Sequence, residues 1–535
     1  MSLCLPCCSR QRSMQGLISK QSMAQCQLRQ SRTLAKKWLS KLRLEGPQPE
    51  ALDVVRKLFG EIAARNIGFG VYKNTAQIPQ AMQALADFDL LIDPSDYGPF
   101  VELLEEFSAI RALPHPLYDN AMEGREDWFV PLQHANYLHL DVAKAIFVGK
   151  RFRKRFPALL YSDVGQWEER KFGGISFQVV SARDQAKIAF LRAIFRSPSL
   201  LMGRSIAMGK ELAEPFSRIT TADGNSLCLE YLVGKDRFQI AVRRDGNTLH
   251  YDRAQTKRLR SRILRSAGAD LSVQAADQTI HSLRRFGFAL ASRLTAQSSA
   301  ADAYKRRLAP QGVIVTLMGV DGSGKSTQTA KLAEVLGRKF RVRILYLGSN
   351  DGGWMRVRHR FRRSGAKSVS ESNSTGRSSV KSRLKLWGRS AWRMTIAIRR
   401  WLNVHYAQFL RNRGVIVICD RWPQSLEAGY LDGPSKLPAR PSWFVRLTHA
   451  FELDLHRRMA AIQPDLTIHL LIDFATSHAR KPGDIDEGDF ERRNALMTRM
   501  RTANLNIVLI DARSEPHSVA TAIFTAVWKA IFDAR

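Results

Sequence analysis

The segment Gly319-Val320-Asp321-Gly322-Ser323-Gly324-Lys325-Ser326-Thr327 satisfies the spacing G-x-x-x-x-G-K-S/T. Each required residue type does a job that others do badly. Glycines let the backbone curl until successive N–H groups point inward at phosphate oxygens. A lysine at 325 can lie along the β- and γ-phosphates, and the Ser326 hydroxyl can be offered to Mg²⁺. The chemistry expected of this stretch is the binding of a nucleoside triphosphate with Mg²⁺.

Positioning those residues requires a strand before them and a helix after. Residues 313–318 are apolar except Thr316, and residues 328–336 carry apolar side chains every three or four positions. The positive end of that helix adds to the anion site. Residues 342–347 read as a second strand. Residues 415–419 are a fully apolar third strand ending in Asp420-Arg421, as a buried parallel strand should. A carboxylate at such a strand end faces the crevice where α/β proteins bind ligands, so Asp420 can join Ser326 as a Mg²⁺ group and Arg421 can grip a phosphate in bidentate fashion. Residues 464–473 form the next strand, leading to Arg480-Lys481. Arg492 and Arg493 follow on a helix, and residues 506–513 give a last strand ending in Asp511-Ala512-Arg513. Alternating strands and helices predict a doubly wound parallel sheet.

Together the G-x-D-G-x-G-K-S-T-Q loop, the Asp-Arg strand end, the Pro-Asp-Leu-Thr strand, the basic lid and the Ile-Asp-Ala loop resemble the thymidylate kinase family of phosphate-loop nucleoside monophosphate kinases over residues 311–535. The resemblance implies ATP and Mg²⁺ as cofactors and a small phosphorylated acceptor. It places ATP on Gly319, Asp321, Gly322, Ser323, Gly324, Lys325, Ser326, Thr327 and Arg513. Lys325, Asp420, Arg480 and Arg492 would be catalytic, and Asp321 and Arg421 would bind the acceptor. Two departures fall on the acceptor side. Leu347-Gly348-Ser349-Asn350-Asp351-Gly352-Gly353 stands where the family carries Arg-Glu-Pro-Gly, and residues 350–400 form a basic, serine-rich insertion expected as a surface loop until Trp387, Trp392, Ile396, Ile398 and Trp401 give a helix with apolar content.

Folded sequence is expected from Pro49. Val54, Val55, Leu58, Phe59, Ile62 and Ala63 have helical spacing. Asp87 and Asp89 then open a strand, where alternate residues share a face and two carboxylates could share a divalent metal. With Asp141 on a later strand, the passage resembles the nucleotidyltransferase fold, which implies Asp87, Asp89 and Asp141 as metal ligands and Lys73 as a phosphate contact. The Gly-Ser turn of that fold is missing here, and only Gly68-Phe69-Gly70 lies upstream. The layout expected is an arm or overcalled start over 1–48, a nucleotidyltransferase-like α+β domain over 49–200, a mainly helical region with a β-hairpin over 201–304, and the phosphate-loop domain over 305–535. In the third stretch Lys257, Arg258, Arg260, Arg262 and Arg265 read as one solvated helix face.

The formal charge of +34 on 535 residues favours an anionic partner: nucleotides, a polyanion or an anionic membrane surface. No apolar run reaches the ~18 residues that would span a bilayer, which argues against an integral membrane protein. Four of six cysteines (Cys4, Cys7, Cys8 and Cys26) crowd the first 26 residues, which is no disulfide framework, and a reducing cytoplasm fits best. A homodimer is left open. Two rival readings remain beside phosphotransfer: a regulatory ATPase that binds a polyanion, and a metal-dependent nucleotidyltransferase working from the amino-terminal domain.

Overall fold

The computed structural model describes residues 49–114, 124–150, 153–196, 205–208, 210–219, 226–269, 305–348, 380–439, 441–483, 485–503 and 506–535, with isolated positions between 276 and 287. The arm over 1–48 with its cysteines, and positions 350–379 of the insertion, lie outside these residues.

Helix α1 (Pro49–Ala64) buries Val55, Leu58, Phe59 and Ile62 along one face. It packs on a mixed eight-stranded sheet. In chain order the strands are β1 (Phe69–Val71), β2 (Phe88–Ile92), β3 (Ile110–Leu113), β4 (Arg125–Leu132) and β5 (Asn136–Ala143), and then, after the hairpin β6 (Ile146–Lys150) and β7 (Arg153–Leu159), β8 (Trp167–Phe172) and β9 (Ile175–Val180). The short β14 (Arg307–Leu308) completes the order β14-β3-β4-β5-β2-β1-β9-β8. Side chains alternate between faces. Trp128, Val130, Leu138 and Leu140 turn toward α1 and α2 (Tyr97–Glu106), while Phe129 and Tyr137 turn the other way.

The sequence predicts a mainly helical region with a β-hairpin over residues 201–304. Among the described residues they hold a four-stranded antiparallel sheet, β10 (Ser205–Ala207), β11 (Ser226–Val233), β12 (Asp236–Asp245) and β13 (Thr248–Tyr251), in the order β10-β13-β12-β11. The boundary expected at 200 cuts one hydrophobic core. Phe190, Leu191 and Ile194 of α3 (Ala182–Arg196) pack with Leu229, Ile240 and Leu249 of this sheet and with Leu259 and Ile263 of α4 (Arg253–Ser266). Nor is the basic helix wholly solvated: Arg260 is buried, donates to the Ile194 carbonyl at 3.1 Å and sits 5.3 Å from the Phe195 ring centre.

The carboxy-terminal unit is a five-stranded sheet of β15 (Ile314–Gly319), β16 (Val342–Tyr346), β17 (Ile416–Asp420), β18 (Leu466–Leu471) and β19 (Ile507–Asp511), in the order β16-β17-β15-β18-β19 with every pairing parallel. Helices cover both faces. On one side α5 (Lys325–Leu336) and, at the end of the chain, α10 (Pro516–Asp533) share a core with Val315, Leu317 and Ile468; on the other, α6 (Val380–Arg411) and α7 (Trp443–Ala461) bury Ile314, Val417 and Met459. Helix α6 starts earlier than the spacing around Trp387 suggests and runs through residues 380–400 of the expected insertion. Between α7 and α10 lie α8 (Phe474–Arg480) and α9 (Glu487–Ala503).

The boundary expected at 305 is likewise stitched over. Arg307 and Leu308 of β14 pair with Leu113 and Ala112 of β3, while the Leu308 N–H donates to the Gly414 carbonyl at 2.9 Å. No helix among the described residues is long and apolar enough to cross a membrane.

Candidate phosphate-binding site

Strand β15 ends on Gly319 because nothing larger fits: a Cβ there would lie 2.6 Å from Ser323 Oγ and 2.8 Å from the Leu470 carbonyl oxygen. The loop re-enters the helix through Gly324, whose φ of +86° belongs to the left-handed region that glycine adopts without strain. Lys325 opens α5. Its Nζ donates back to the Gly319 and Val320 carbonyls at 2.9 and 2.7 Å.

From the neighbouring strand β17, Asp420 comes alongside. Ser326 Oγ donates to Asp420 Oδ2 at 2.7 Å, and Asp420 Oδ1 is buried with no hydrogen-bond partner. An anionic oxygen left unsatisfied beside a hydroxyl oxygen is a donor set that fits Mg²⁺.

These groups line a cavity of about 770 Å³ at the carboxyl edge of the parallel sheet. Asp321, Gly322, Gly324, Lys325, Ser326 and Thr327 form its floor, with Asp420, Arg421 and Arg480 on the wall. Gly319 and the buried Ser323 are not among the lining residues. Arg480 donates to the Gly322 carbonyl at 3.3 Å and the Ala512 carbonyl at 3.1 Å, tying α8 to the loop.

Two expected site residues are placed elsewhere. Arg492 is exposed, donates to Tyr430 Oη at 3.2 Å and does not line the cavity; its neighbour Arg493 does, because a step of one residue rotates a side chain about 100° around a helix. Arg513 closes on Asp511 at 2.6 Å and lines a separate cavity of about 460 Å³ with Phe474 and Phe490.

The cavity also holds Asp432 and Arg493, to which sequence spacing gave no role. Arg421 donates to Asp321 at 3.0 Å and to Asp432 at 3.1 Å, and Asp432 in turn accepts from buried Arg400 at 2.6 Å. Arg493 donates to the other oxygen of Asp321 at 2.7 Å. Asp432 sits in a turn-rich stretch with no periodic pattern, so only the Asp-Arg strand end hinted at this ladder.

Electrostatics follow from the crowding. Burial first, and then the neighbouring Arg421, push the Lys325 ammonium down to about 8 against the opposing pull of Asp321 and Asp420. Burial alone would raise the Asp321 carboxyl, but Lys325, Arg421 and Arg493 outweigh it and hold the group below the ordinary carboxylate value.

The acids of the amino-terminal sheet do not assemble as expected. Asp89 and Asp141 are register partners on β2 and β5, but the Lys73 ammonium contacts both, and Asn74 and Arg125 take their remaining edges. Asp87 turns to Lys339 at 2.8 Å and lies 3.0 Å from His139. A lysine thus stands where a shared cation would, and among the described residues no group of three or more His, Cys, Asp or Glu side chains is placed to hold a metal ion.

Fold and site define a parallel-sheet α/β protein with a cation-lined pocket at a glycine loop. No family model matches the chain. The uncharacterized ATP-binding protein YghR of Escherichia coli (strain K12) is 30% identical over 214 residues, covering 38% of this chain and 82% of that protein. The uncharacterized ATP-binding protein YghS of the same strain is 29% identical over 231 residues, covering 41% of this chain and 93% of its own length. The chain belongs to the family of YghR.

Proposed function

We propose that the protein transfers a phosphoryl group from ATP to a nucleoside monophosphate or a similar small phosphorylated acceptor, as thymidylate kinases do. One observation carries the reading: a single cavity holds donor-type groups, Lys325 and the Ser326–Asp420 pair, together with an acceptor-type group, Arg421. YghR and YghS are named as ATP-binding proteins, and ATP is the donor proposed here on that ground.

The acceptor phosphate is already an anionic nucleophile, so the chain has no base to supply. Its work is positioning and neutralising charge. Loop N–H groups cradle the donor phosphates. Lys325 exchanges its two carbonyl partners for phosphate oxygens as they arrive. Mg²⁺ held by Ser326 and Asp420 would neutralise charge developing between the β- and γ-phosphates. Arg480, anchored to the loop, stands over the same phosphates, and Arg421 holds the acceptor in line.

Kinetics separate these roles. With an acceptor that takes label, Arg421→Ala should raise the acceptor KM with little change in ATP affinity, whereas Lys325→Ala should depress kcat and ATP affinity together. Equal effects of Arg421→Ala on both substrates would contradict the assignment.

A further inference from the structure

We infer that Arg493 and Arg421 form a two-arginine clamp for the acceptor's phosphate, with Asp321 setting their spacing; this rests on the reading of the cavity as a phosphotransfer site. The two side chains come from distant elements, Arg421 from the end of β17 and Arg493 from the second turn of α9. One carboxylate gathers them: Asp321 Oδ1 accepts from Arg421 at 3.0 Å and Oδ2 from Arg493 at 2.7 Å. Both arginines line the cavity.

A guanidinium has five N–H donors, arranged as two edges that can each meet a pair of oxygens. Arg493 spends one nitrogen, Nη1, on Asp321. Its Nε is buried and without a hydrogen-bond partner. A buried charged donor left unpaired is costly, and an oxyanion on the Nε edge would remove that cost without breaking the Asp321 contact. Arg421 is fixed from behind: Asp432 accepts from it at 3.1 Å and is itself held by Arg400, which also donates to the Leu347 carbonyl at 2.7 Å. The result is an alternating ladder, Arg493–Asp321–Arg421–Asp432–Arg400, running from the glycine loop toward the loop that follows β16. Its position makes α9 part of acceptor recognition.

Two oxygens of one phosphate are spaced like the two of a carboxylate, so the pair that already bridges Asp321 can bridge a phosphate monoester, which carries about −1.5 to −2 charges at neutral pH. The substrate class implied is a compound with a terminal phosphate monoester. A hydroxyl-only acceptor would leave the Arg493 Nε as it is.

The test uses the full chain saturated with Mg²⁺ and a non-hydrolysable ATP analogue, which fills the donor positions, and titrates it with inorganic phosphate. Arg493→Ala should weaken phosphate binding by about tenfold or more, with the affinity for the analogue changed less than about twofold. Arg501→Ala, which removes the same charge from the exposed side of the same helix, should leave both unchanged. Arg493→Lys keeps the charge but not the forked edge, and should bind phosphate several-fold more weakly while unfolding at the normal temperature. Phosphate binding to Arg493→Ala at wild-type strength would overturn the clamp, as would a wild-type protein that binds the analogue but no phosphate. A wild-type protein that fails to bind the analogue would instead overturn the reading of the cavity itself.

Discussion

Lys325 carries its charge at a disadvantage. Folded, it ionises near 8, and the value expected of an ordinary lysine is 10.5. Phosphate binding needs the ammonium, so above about pH 8 the affinity for Mg·ATP should fall, by up to about tenfold per pH unit, which calorimetry across pH 7 to 10 would show. The sign for stability is opposite. Between about 8 and 10.5 the unfolded chain binds more protons than the folded one, so the ligand-free protein should gain stability as pH rises through that window. Removing the side chain is more severe: Lys325→Ala should cost on the order of 10²-fold in turnover, measured in single-turnover mixing. At this scale the sequence reported types better than directions. Spacing named Lys325, Ser326 and Asp420 because a strand–loop–helix fixes where they point. It could not separate Arg492 from Arg493, since their places on α9 depend on where the helix docks.

Elements carry the next constraint. The glycine loop works only if β15 can approach β18 closely at Gly319. Gly319→Ala would drive a Cβ to 2.8 Å from the Leu470 backbone oxygen, which cannot retreat without moving a central strand. The variant should lose about 1–3 kcal/mol, read from denaturant unfolding, and bind ATP more weakly. The apolar runs at 313–318 and 415–419 were legible as strands, the second as a buried parallel one, and the strands observed there, Ile314–Gly319 and Ile416–Asp420, are wholly buried. A β-hairpin was legible within residues 201–304, but the four-stranded sheet there was underread. Its strands alternate buried and exposed residues along edges that carry arginines, a pattern that shows its partner only when α3 and α4 close over it. The buried Arg260 escaped for the same reason: charge reads as surface until a carbonyl and a ring meet it.

The whole molecule is held as one by a core that ignores the expected boundaries. Phe129 and Tyr137 of the amino-terminal sheet pack on Phe340 and Trp528 of the carboxy-terminal unit. Tyr137 donates to the Val335 carbonyl at 3.2 Å, so the helix that starts with Lys325 ends against this sheet. Arg306 closes on buried Asp127 at 2.5 Å. Burial would raise the Asp127 carboxyl, but Arg306 and His139 outweigh it and hold it well below the ordinary range. The stability this contributes is present above the ordinary carboxylate pKa and is lost as pH falls through the folded value. Arg306→Met leaves that buried carboxylate with His139 alone and should destabilise the protein by about 3–5 kcal/mol, lowering a single unfolding transition rather than splitting it in two. None of these contacts between the two sheets' units was legible in the sequence, because each joins residues 179 or more positions apart whose own segments look complete.

The central claim is transfer of phosphate from ATP to a small phosphorylated acceptor, and the most direct measurement follows the label. Purified protein with Mg²⁺ and γ-labelled ATP is incubated with nucleoside monophosphates and other phosphate monoesters, and the products are separated. The account predicts label in one phosphorylated small product, lost in Lys325→Ala. Label found only as inorganic phosphate, released faster when a polyanion is added, would contradict it.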